Sequence, residues 1–441
     1  MRPLSDTLAR LAAIRAIPGP LPGEPDGRLV EVAEFGANPG ALRAFAYLPE
    51  ALPEGAPLVV VLHGCLQSAA GYDHGAGWSA LADRHGFALL LPEQQRTNNA
   101  NLCFNWFVPA DVRRDAGEAL SIRRMVAAMV DRHGVDRRRV FVSGLSAGGA
   151  MAAAMLATHP DVFAGGAIIA GLPFACAATI PEAFDRMRGQ GLPPAAELQA
   201  RLRAASPHDG PWPTLSVWHG DADQTVAPAN ADAIVEQWRA VHGLAAEPSL
   251  TERVGGAPRR VWHDAAGRPV IEQYRIPGMG HGTPLDAGSA DGIGHAGPFL
   301  LDVGLSSTDH IAAFWGLAAP ARRTEARPPA AAAAPPPRRP TAPVTVVARS
   351  PSPAAAPTRS PALAPAPSPV AAPSPVAVPA AAASRPVAAP PPPQVDTEPP
   401  PASRAAGDGA TPAPTAEQPN GVVTRIKHVI EDALRAAGLM R

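Results

Sequence analysis

The stretch from Arg139 to Met151, RVFVSGLSAGGAM, constrains this chain more than any other. The β-branched and aromatic residues before Gly144 indicate a buried strand, and the small residues after Gly148 indicate a helix. Between them lies the G-x-S-x-G spacing, in which a sharp strand-to-helix turn holds a serine hydroxyl clear of a sheet. Ser146 is therefore a candidate nucleophile, and the alternative is a glycine-rich turn with an unreactive serine.

Proline divides the chain into regions of different character. The sequence has 441 residues and 55 prolines, and residues 320–419 consist mostly of Ala, Pro, Ser, Thr and Val. Such a segment has no large apolar side chains to bury and few amide donors, so we expect it to stay extended and solvated. The residues upstream suffice for one substantial core. The predicted regions are an N-terminal helix and lead-in (1–27), an α/β domain (28–318), a disordered linker (319–420) and an amphipathic helix (421–441).

Charge, hydropathy and cysteine content argue against several classes of protein. The net charge is -1, which gives no reason to expect binding to nucleic acid. The sequence has no apolar run long enough to predict a transmembrane helix, and no signal peptide is recognised at the N-terminus, which favours a cytoplasmic location. Cys65, Cys103 and Cys176 match no zinc-binding spacing, so no metal site is expected.

Strands and helices alternate along the predicted domain. The continuous apolar run Leu58–Leu62 is typical of a strand buried on both faces of a parallel sheet, the regular strand pattern returns at Thr214–Trp218, and Asp115–His133 has an apolar stripe at helical spacing. The alternation predicts a mostly parallel central sheet with helices on both faces, and ligands bind such sheets at the carboxyl ends of the strands. The other expected elements are strands Arg28–Phe35, Leu42–Leu48, Phe87–Pro92, Arg259–His263 and Val270–Ile276, helices Gly77–His85, Ala195–Ala204 and Ala229–His242, and a closing helix that ends near Trp315.

Two later strand ends carry side chains able to activate a serine. A serine hydroxyl needs a base to accept its proton, and the base needs a third group to orient it. The chain offers Ser146, then Asp221 or Asp223, then His281, in the nucleophile–acid–histidine order expected of α/β-hydrolases. Asp223 is the preferred acid, with Asp221 the alternative, and the other aspartate would stabilise its turn. His281 is the expected base, although a histidine in a glycine-rich loop is often merely solvated.

An oxyanion hole and a substrate pocket complete the predicted site. One backbone donor should be the N–H of Ala147, directly after the candidate nucleophile, and the other the N–H of Cys65 in the turn after Leu58–Leu62. Trp106 and Asn105, in a long polar and aromatic loop, are candidate substrate-binding residues, unless the tryptophan only anchors the loop. A bridge between Cys65 and Cys103 would fix that loop beside the oxyanion turn, but both could equally remain thiols.

Five motifs occur in one order between Arg28 and Leu317: LHGCLQ, NWF, GLSAGGAM, HGDADxxV and GMGH. In this order they resemble the poly(3-hydroxybutyrate) depolymerase-like esterases of the α/β-hydrolase superfamily. The resemblance implies a serine carboxylic-ester hydrolase that needs no cofactor, with Ser146 as nucleophile, Asp223 as acid and His281 as base. Relatives act on polyhydroxybutyrate, short-chain acyl esters, or feruloyl and acetyl esters of plant polysaccharide, and they are often extracellular. The expected partner is therefore an ester substrate.

The last residues, 421–441, have an apolar stripe at helical spacing. A helix of this length is marginal alone, so we expect it to dock on its own domain, on another subunit, or on a hydrophobic surface such as a polymer granule. The leading functional hypothesis is hydrolysis of short-chain or hydroxyalkanoate esters through an acyl-enzyme. The alternatives are a feruloyl or acetylxylan esterase, a peptidase or acyltransferase on the same triad, and a non-catalytic granule-binding protein.

Overall fold

One ten-stranded sheet organises residues 28–318, the part of the chain that the computed structural model describes. In chain order its strands are β1 Val30–Glu31, β2 Arg43–Tyr47, β3 Leu58–Leu62, β4 Ala88–Glu93, β5 Val140–Leu145, β6 Gly165–Ile169, β7 Thr214–Gly220, β8 Leu250–Val254, β9 Ala257–His263 and β10 Pro269–Ile276. Their order across the sheet is β1-β2-β4-β3-β5-β6-β7-β10-β9-β8. The strands from β4 to β10 in this order run parallel, whereas the outer strands on both sides pair antiparallel.

Helices cover both faces of this sheet. Successive side chains of β3 alternate between two apolar clusters, with Val60 in one cluster and Val59 and Val61 in the other, and all three are buried. Crossover connections between parallel strands place helices over these faces, which is why such strands are apolar throughout. The helices are α1 Ala69–Ala76, α2 Trp78–His85, α3 Gly117–His133, α4 Ala147–Thr158, α5 Ile180–Met187, α6 Ala195–Ala204, α7 Ala229–Arg239 and α8 Ser307–Phe314.

The two clusters divide the helices between the faces. Buried residues of α3, α4 and α7 belong to one cluster, and those of α1, α2 and α8 belong to the other. A mostly parallel sheet between two helical layers is the α/β-hydrolase architecture, so the predicted fold is confirmed. A third, smaller apolar cluster draws residues from α4, α5 and α6.

Some predicted elements have the wrong bounds, and some elements of the structure were not predicted. The predicted strand Arg28–Phe35 is reduced to the two residues of β1, and the helix predicted from Ala229 to His242 ends at Arg239. Helix α1, helix α5 and strand β8 were not predicted, nor was a small parallel pair, β11 Thr283–Leu285 and β12 Leu300–Asp302. Helix α6 is confirmed at its predicted bounds, Ala195–Ala204.

The predicted lead-in (1–27), linker (319–420) and C-terminal helix (421–441) lie outside the described residues, so these regions and the docking of that helix stay predictions. Within residues 28–318, the helices are too short or too polar to cross a membrane.

Candidate active site

Ser146 lies on a sharp turn between strand β5 and helix α4. Its backbone angles are φ 57° and ψ -115°, a conformation that a residue with a side chain adopts only under strain. Its N–H donates to the carbonyl oxygen of Ile169, 2.9 Å away on the neighbouring strand β6. The turn is therefore held by the sheet itself, and the Ser146 side chain is left partly exposed at the carboxyl end of β5.

The two glycines of the motif are required by close backbone packing. A Cβ atom at Gly144 would lie 2.2 Å from the carbonyl oxygen of Gly148, directly across the turn. A Cβ atom at Gly148 would lie 2.3 Å from the carbonyl oxygen of Leu62 at the end of β3. No side chain fits at these distances, so only glycine lets helix α4 begin so close to strands β5 and β3.

His281 contacts both Ser146 and Asp223. Its Nε2 is 2.9 Å from the hydroxyl oxygen of Ser146, and its Nδ1 is 2.7 Å from Oδ2 of Asp223. The His281 side chain is 8% exposed and that of Asp223 is fully buried. A proton on Nδ1 donates to the carboxylate and leaves Nε2 free to accept the serine proton, which is the arrangement required of a general base.

The Asp223 carboxylate is held in its ionised form. Its Oδ1 accepts hydrogen bonds from the N–H groups of Thr225 and Val226 at 2.8 and 2.9 Å. Burial by itself would raise the pKa of Asp223, but hydrogen bonds and positive charge from His219 and His281 outweigh it and hold that pKa well below its usual range. Asp223 is therefore ionised at neutral pH, where it can orient His281 and stabilise its protonated form.

Asp221, the alternative acid, lies in another position. It is exposed, and its Oδ1 accepts a hydrogen bond from the N–H of Gly278 at 2.6 Å. The N–H of Asp221 donates to the carbonyl oxygen of Ile276 at 3.0 Å, and the N–H of Ala222 donates to that of Met279 at 3.1 Å. Asp221 thus fastens the acid loop to the histidine loop, and the geometry favours Asp223 as the acid.

Two backbone N–H groups beside Ser146 have no acceptor within residues 28–318: those of Cys65 and Ala147. Ala147 begins helix α4, where the first N–H groups lack intrahelical partners and the helix dipole favours negative charge. Cys65 follows strand β3 in a turn closed by the N–H of Gln67 on the carbonyl of Gly64, at 3.3 Å, and by the N–H of Gly64 on Oε1 of Gln67, at 2.8 Å. Both predicted oxyanion donors therefore lie unpaired at adjoining strand ends.

The His63 side chain holds the backbone of this turn through two hydrogen bonds. Its Nδ1 is 2.8 Å from the carbonyl oxygen of Gly64, and its Nε2 is 3.1 Å from the N–H of Gln94, so Nδ1 donates and Nε2 accepts. Burial lowers the pKa of His63 to about 4, and the ring is neutral at physiological pH. The HGC motif marks the position of His63, and a histidine that precedes glycine at a strand end is expected to form local hydrogen bonds such as the one to Gly64.

A disulfide joins Cys65 to Cys103, with the Cα atoms 4.3 Å apart. The N–H of Leu66 also donates to the carbonyl oxygen of Asn101 at 2.8 Å, so the two segments are paired on either side of the bridge. The alternative of two free thiols, which the sequence left open, does not occur here. The long loop is thereby tied to the oxyanion turn.

Trp106 and Asn105 are neighbours in this loop but have different surroundings. Trp106 is 7% exposed and belongs to the same apolar cluster as Ala147 and Val226, which brings it beside the nucleophile turn and the acid loop. The Asn105 side chain instead accepts a hydrogen bond from the Asn99 side chain at 3.0 Å, and the backbone N–H of Asn105 donates to buried Glu118 at 2.9 Å. Asn105 is engaged in internal bonds, and its substrate-binding role stays a prediction.

Phe299 lies on the other side of the base. Its ring is 5.9 Å from that of His281, edge to face, and its carbonyl oxygen accepts a hydrogen bond from Thr283 at 2.8 Å, beside the β11–β12 pair. Phe299 was not among the predicted site residues, because 18 positions separate it from His281 in the chain. Among residues 28–318, the His, Cys, Asp and Glu side chains form no group of three that could hold a metal ion.

Comparisons with known proteins identify the family. The family model for Esterase PHB depolymerase matches residues 42–260. Poly(3-hydroxyalkanoate) depolymerase C of Paucimonas lemoignei is 48% identical over 291 residues, which cover 66% of this chain and 70% of that protein. The chain belongs to the Esterase PHB depolymerase family. The resemblance noted from the five motifs is thereby confirmed.

Other members of this esterase family and a solved structure agree. Feruloyl esterase B of Talaromyces stipitatus is 32% identical over 267 residues, covering 58% of this chain and 73% of that protein. The acetyl xylan esterase from Aspergillus awamori superposes with a TM-score of 0.57 at 23% identity, covering 66% of this chain and all of that one, and it supports the fold. This family member is an ester hydrolase of the α/β-hydrolase type.

Proposed function

We propose that this chain hydrolyses short-chain or hydroxyalkanoate esters through an acyl-enzyme on Ser146, with His281 as general base and Asp223 as the orienting acid. The observation that carries the proposal is the continuous pair of contacts, 2.9 Å from Ser146 to His281 and 2.7 Å from His281 to Asp223. Hydroxyalkanoate esters are preferred because the 48% identical relative is named a poly(3-hydroxyalkanoate) depolymerase.

In the proposed mechanism, the Ser146 oxygen attacks the ester carbonyl carbon while His281 accepts the hydroxyl proton on Nε2. The negative oxygen of the tetrahedral intermediate accepts hydrogen bonds from the N–H groups of Ala147 and Cys65. His281 then returns the proton to the departing alcohol oxygen. A water molecule, deprotonated by the same nitrogen, attacks the acyl carbonyl carbon, and His281 passes that proton to the Ser146 oxygen as the acyl bond breaks and the acid leaves. Each proton transfer uses one ring nitrogen, while Asp223 holds the other.

A p-nitrophenyl ester series from acetate to octanoate, with the wild type and Ser146→Ala, tests the reaction. We expect the substitution to reduce kcat by several orders of magnitude and to leave the thermal unfolding midpoint close to that of the wild type. Wild-type rates in Ser146→Ala would refute the mechanism. Asp223→Asn should reduce kcat about as severely, whereas its matched control Asp221→Asn should affect mainly stability, because Asp221 bonds a backbone N–H and not the base.

A second candidate is hydrolysis of feruloyl or acetyl esters of polysaccharide, favoured by the 32% identical feruloyl esterase B. Comparing kcat/KM on 3-hydroxybutyrate oligomers, methyl ferulate and acetylated xylan separates the two candidates. We expect the hydroxybutyrate oligomers to give the highest value. A higher value on either of the other two would replace the substrate assignment and leave the serine mechanism in place.

We also propose that residues 421–441 dock on an apolar surface, since their stripe of apolar residues has helical spacing. A chain ending at residue 318 should keep its activity on soluble esters, because every residue assigned to the site lies upstream. If the full chain adsorbs to polyhydroxybutyrate granules and the shortened one adsorbs less, the docking surface is the polymer. Equal adsorption would contradict a polymer-docking helix.

A further inference from the structure

His219 is a second histidine beside the Asp223 carboxylate. It lies near the carboxyl end of strand β7, four residues before Asp223, and is 1% exposed. Its Nε2 is 2.9 Å from the carbonyl oxygen of Val226 and 3.4 Å from Oδ2 of Asp223. The ring therefore lies against the middle and the last residue of the short acid loop, which runs from Asp221 to Val226.

The hydrogen on the His219 ring can be assigned from these contacts. A carbonyl oxygen and an ionised carboxylate oxygen both act only as acceptors, so Nε2 must carry a hydrogen. The short contact makes Val226 its main acceptor, and the longer one directs the same N–H dipole toward Asp223. The other ring nitrogen, Nδ1, is buried and has no hydrogen-bond partner within residues 28–318.

The unpaired Nδ1 of His219 destabilises the folded state. Leaving a buried polar group without a partner costs about 1–3 kcal/mol, whereas an apolar side chain of similar size would carry no such penalty. What the ring supplies in return is one N–H group directed at the acid loop.

The Asp223 carboxylate shows what that N–H group does. Oδ1 is held by the N–H groups of Thr225 and Val226, and Oδ2 faces His281 at 2.7 Å and His219 at 3.4 Å. Without His219, the loop end at Val226 loses its tie to β7, and Oδ2 keeps His281 as its one donor. The two N–H groups that hold Oδ1 belong to this same loop, so a less restrained loop would carry the carboxylate with it.

We propose that His219 is a positioning residue of the hydrolytic site: its Nε2–H holds the acid loop and the Asp223 carboxylate in the orientation that receives the Nδ1 proton of His281. The inference rests on the proposed function, because it acts through Asp223. A displacement of about 1 Å at a catalytic group can lower the rate on the order of 100-fold. His219 touches no reacting atom, so its removal should lower kcat and leave KM nearly unchanged.

A matched pair of amide substitutions tests this role. The side-chain nitrogen of glutamine in His219→Gln can reach the place of Nε2, whereas that of asparagine in His219→Asn reaches only the place of Nδ1. On p-nitrophenyl butyrate, we expect His219→Gln to keep kcat within about threefold of the wild type and His219→Asn to lose about 10- to 100-fold, with KM within about twofold in both. Equal kcat values in the two variants would overturn the proposal.

The same two substitutions in an Asp223→Asn background separate positioning from structural support. If His219 acts through Asp223, His219→Asn should change the residual kcat of Asp223→Asn by less than about twofold. The same 10- to 100-fold loss in both backgrounds would show that His219 only supports the fold, and would overturn the proposal. A wild-type rate in Asp223→Asn alone would instead refute the acid assignment under Proposed function, and with it any role exercised through that acid.

Discussion

The Cys65–Cys103 bridge offers the most direct test of how the site is held, because one substitution removes it and leaves the proposed oxyanion donor in the chain. Cys103→Ser breaks the bridge, and the N–H of Cys65 remains available. The bonds from Leu66 to Asn101 at 2.8 Å and from Gln94 to Cys103 at 3.1 Å also remain. The substitution therefore loosens the turn without releasing it.

The size of the effect on stability follows from the length of chain that the bridge encloses. The two cysteines are 38 positions apart. In the chain-entropy relation, closing a loop of this length removes about 13 cal/mol/K from the unfolded state, or about 4 kcal/mol at 25 °C. A protein of ordinary stability, about 5–15 kcal/mol, would lose a large share of it. For catalysis we expect kcat to fall about tenfold, a smaller loss than the ~10²–10³-fold loss expected when an oxyanion donor is removed outright.

Urea unfolding with and without reductant measures the stability term. The wild type should shift by about 2–4 kcal/mol when reduced, and Cys103→Ser should already show the lower value and not respond to reductant. Cys176→Ser is the matched control, because Cys176 is buried and unbridged. Its unfolding free energy should respond to reductant as the wild type does.

One refuting result is that reduction leaves the wild-type unfolding free energy unchanged while thiol titration shows that the bridge has opened. Another is that Cys103→Ser keeps the wild-type kcat on every ester of the series. The first result would contradict the entropic estimate. The second would show that the position of the Cys65 N–H does not depend on the bridge.

Three further predictions concern packing, protonation and specificity. Gly148→Ala places a Cβ atom 2.3 Å from a backbone oxygen, so calorimetry should show a loss of at least about 2 kcal/mol together with a lower kcat, whereas exposed Gly288→Ala, with its nearest neighbour at 3.6 Å, should change stability by less than about 0.5 kcal/mol. Burial and a neighbouring carboxylate raise the pKa of Glu118 from 4.5 to about 8, so the folded state holds this proton more tightly and stability falls as the pH rises between those values. Glu118→Gln lacks that titration. Measured by urea unfolding, the unfolding free energy of Glu118→Gln minus that of the wild type should increase by up to about 5 kcal/mol from about pH 4 to 9, and a difference that does not change with pH would contradict the burial argument. Trp106→Ala should lower kcat/KM for p-nitrophenyl butyrate by about tenfold or more while Trp106→Phe retains most of it, and equal losses in both would argue against an apolar wall.

The sequence predicted the architecture because the strands around the site are buried on both faces. Leu58–Leu62 is apolar at every position, so its position as a strand and the type of sheet follow from local composition. The GLSAGGAM stretch was equally informative, since close packing at its glycines and the strained turn at Ser146 leave few other residues acceptable. These signals are carried by neighbouring residues in the chain.

The elements that were missed depend on contacts distant in sequence. Helix α1, AAGYDHGA, contains two glycines among eight residues and has weak helical propensity, yet Ser68 caps it and the core buries Tyr72. Strand β8 is largely exposed and pairs only with β9 at the edge of the sheet, so its residues lack an apolar pattern.

The supporting residues of the site were missed for the same reason. Glu118 binds two residues of the long loop that lie 24 and 13 positions earlier in the chain, the Gln94 side chain at 2.6 Å and the N–H of Asn105 at 2.9 Å. The contact between His219 and Asp223 spans a single turn, but its direction depends on how that turn folds. Such side chains become visible only when the backbone is known.

The bonds between the acid loop and the histidine loop have a mechanical consequence. Three backbone N–H groups, those of Asp221, Ala222 and Gly278, join the two loops, whereas Ser146 is anchored separately on strand β6. Base and acid are therefore expected to move together when the loops after β7 and β10 shift. Such a shift would change the 2.9 Å distance from His281 to the serine hydroxyl more than the 2.7 Å contact between His281 and Asp223.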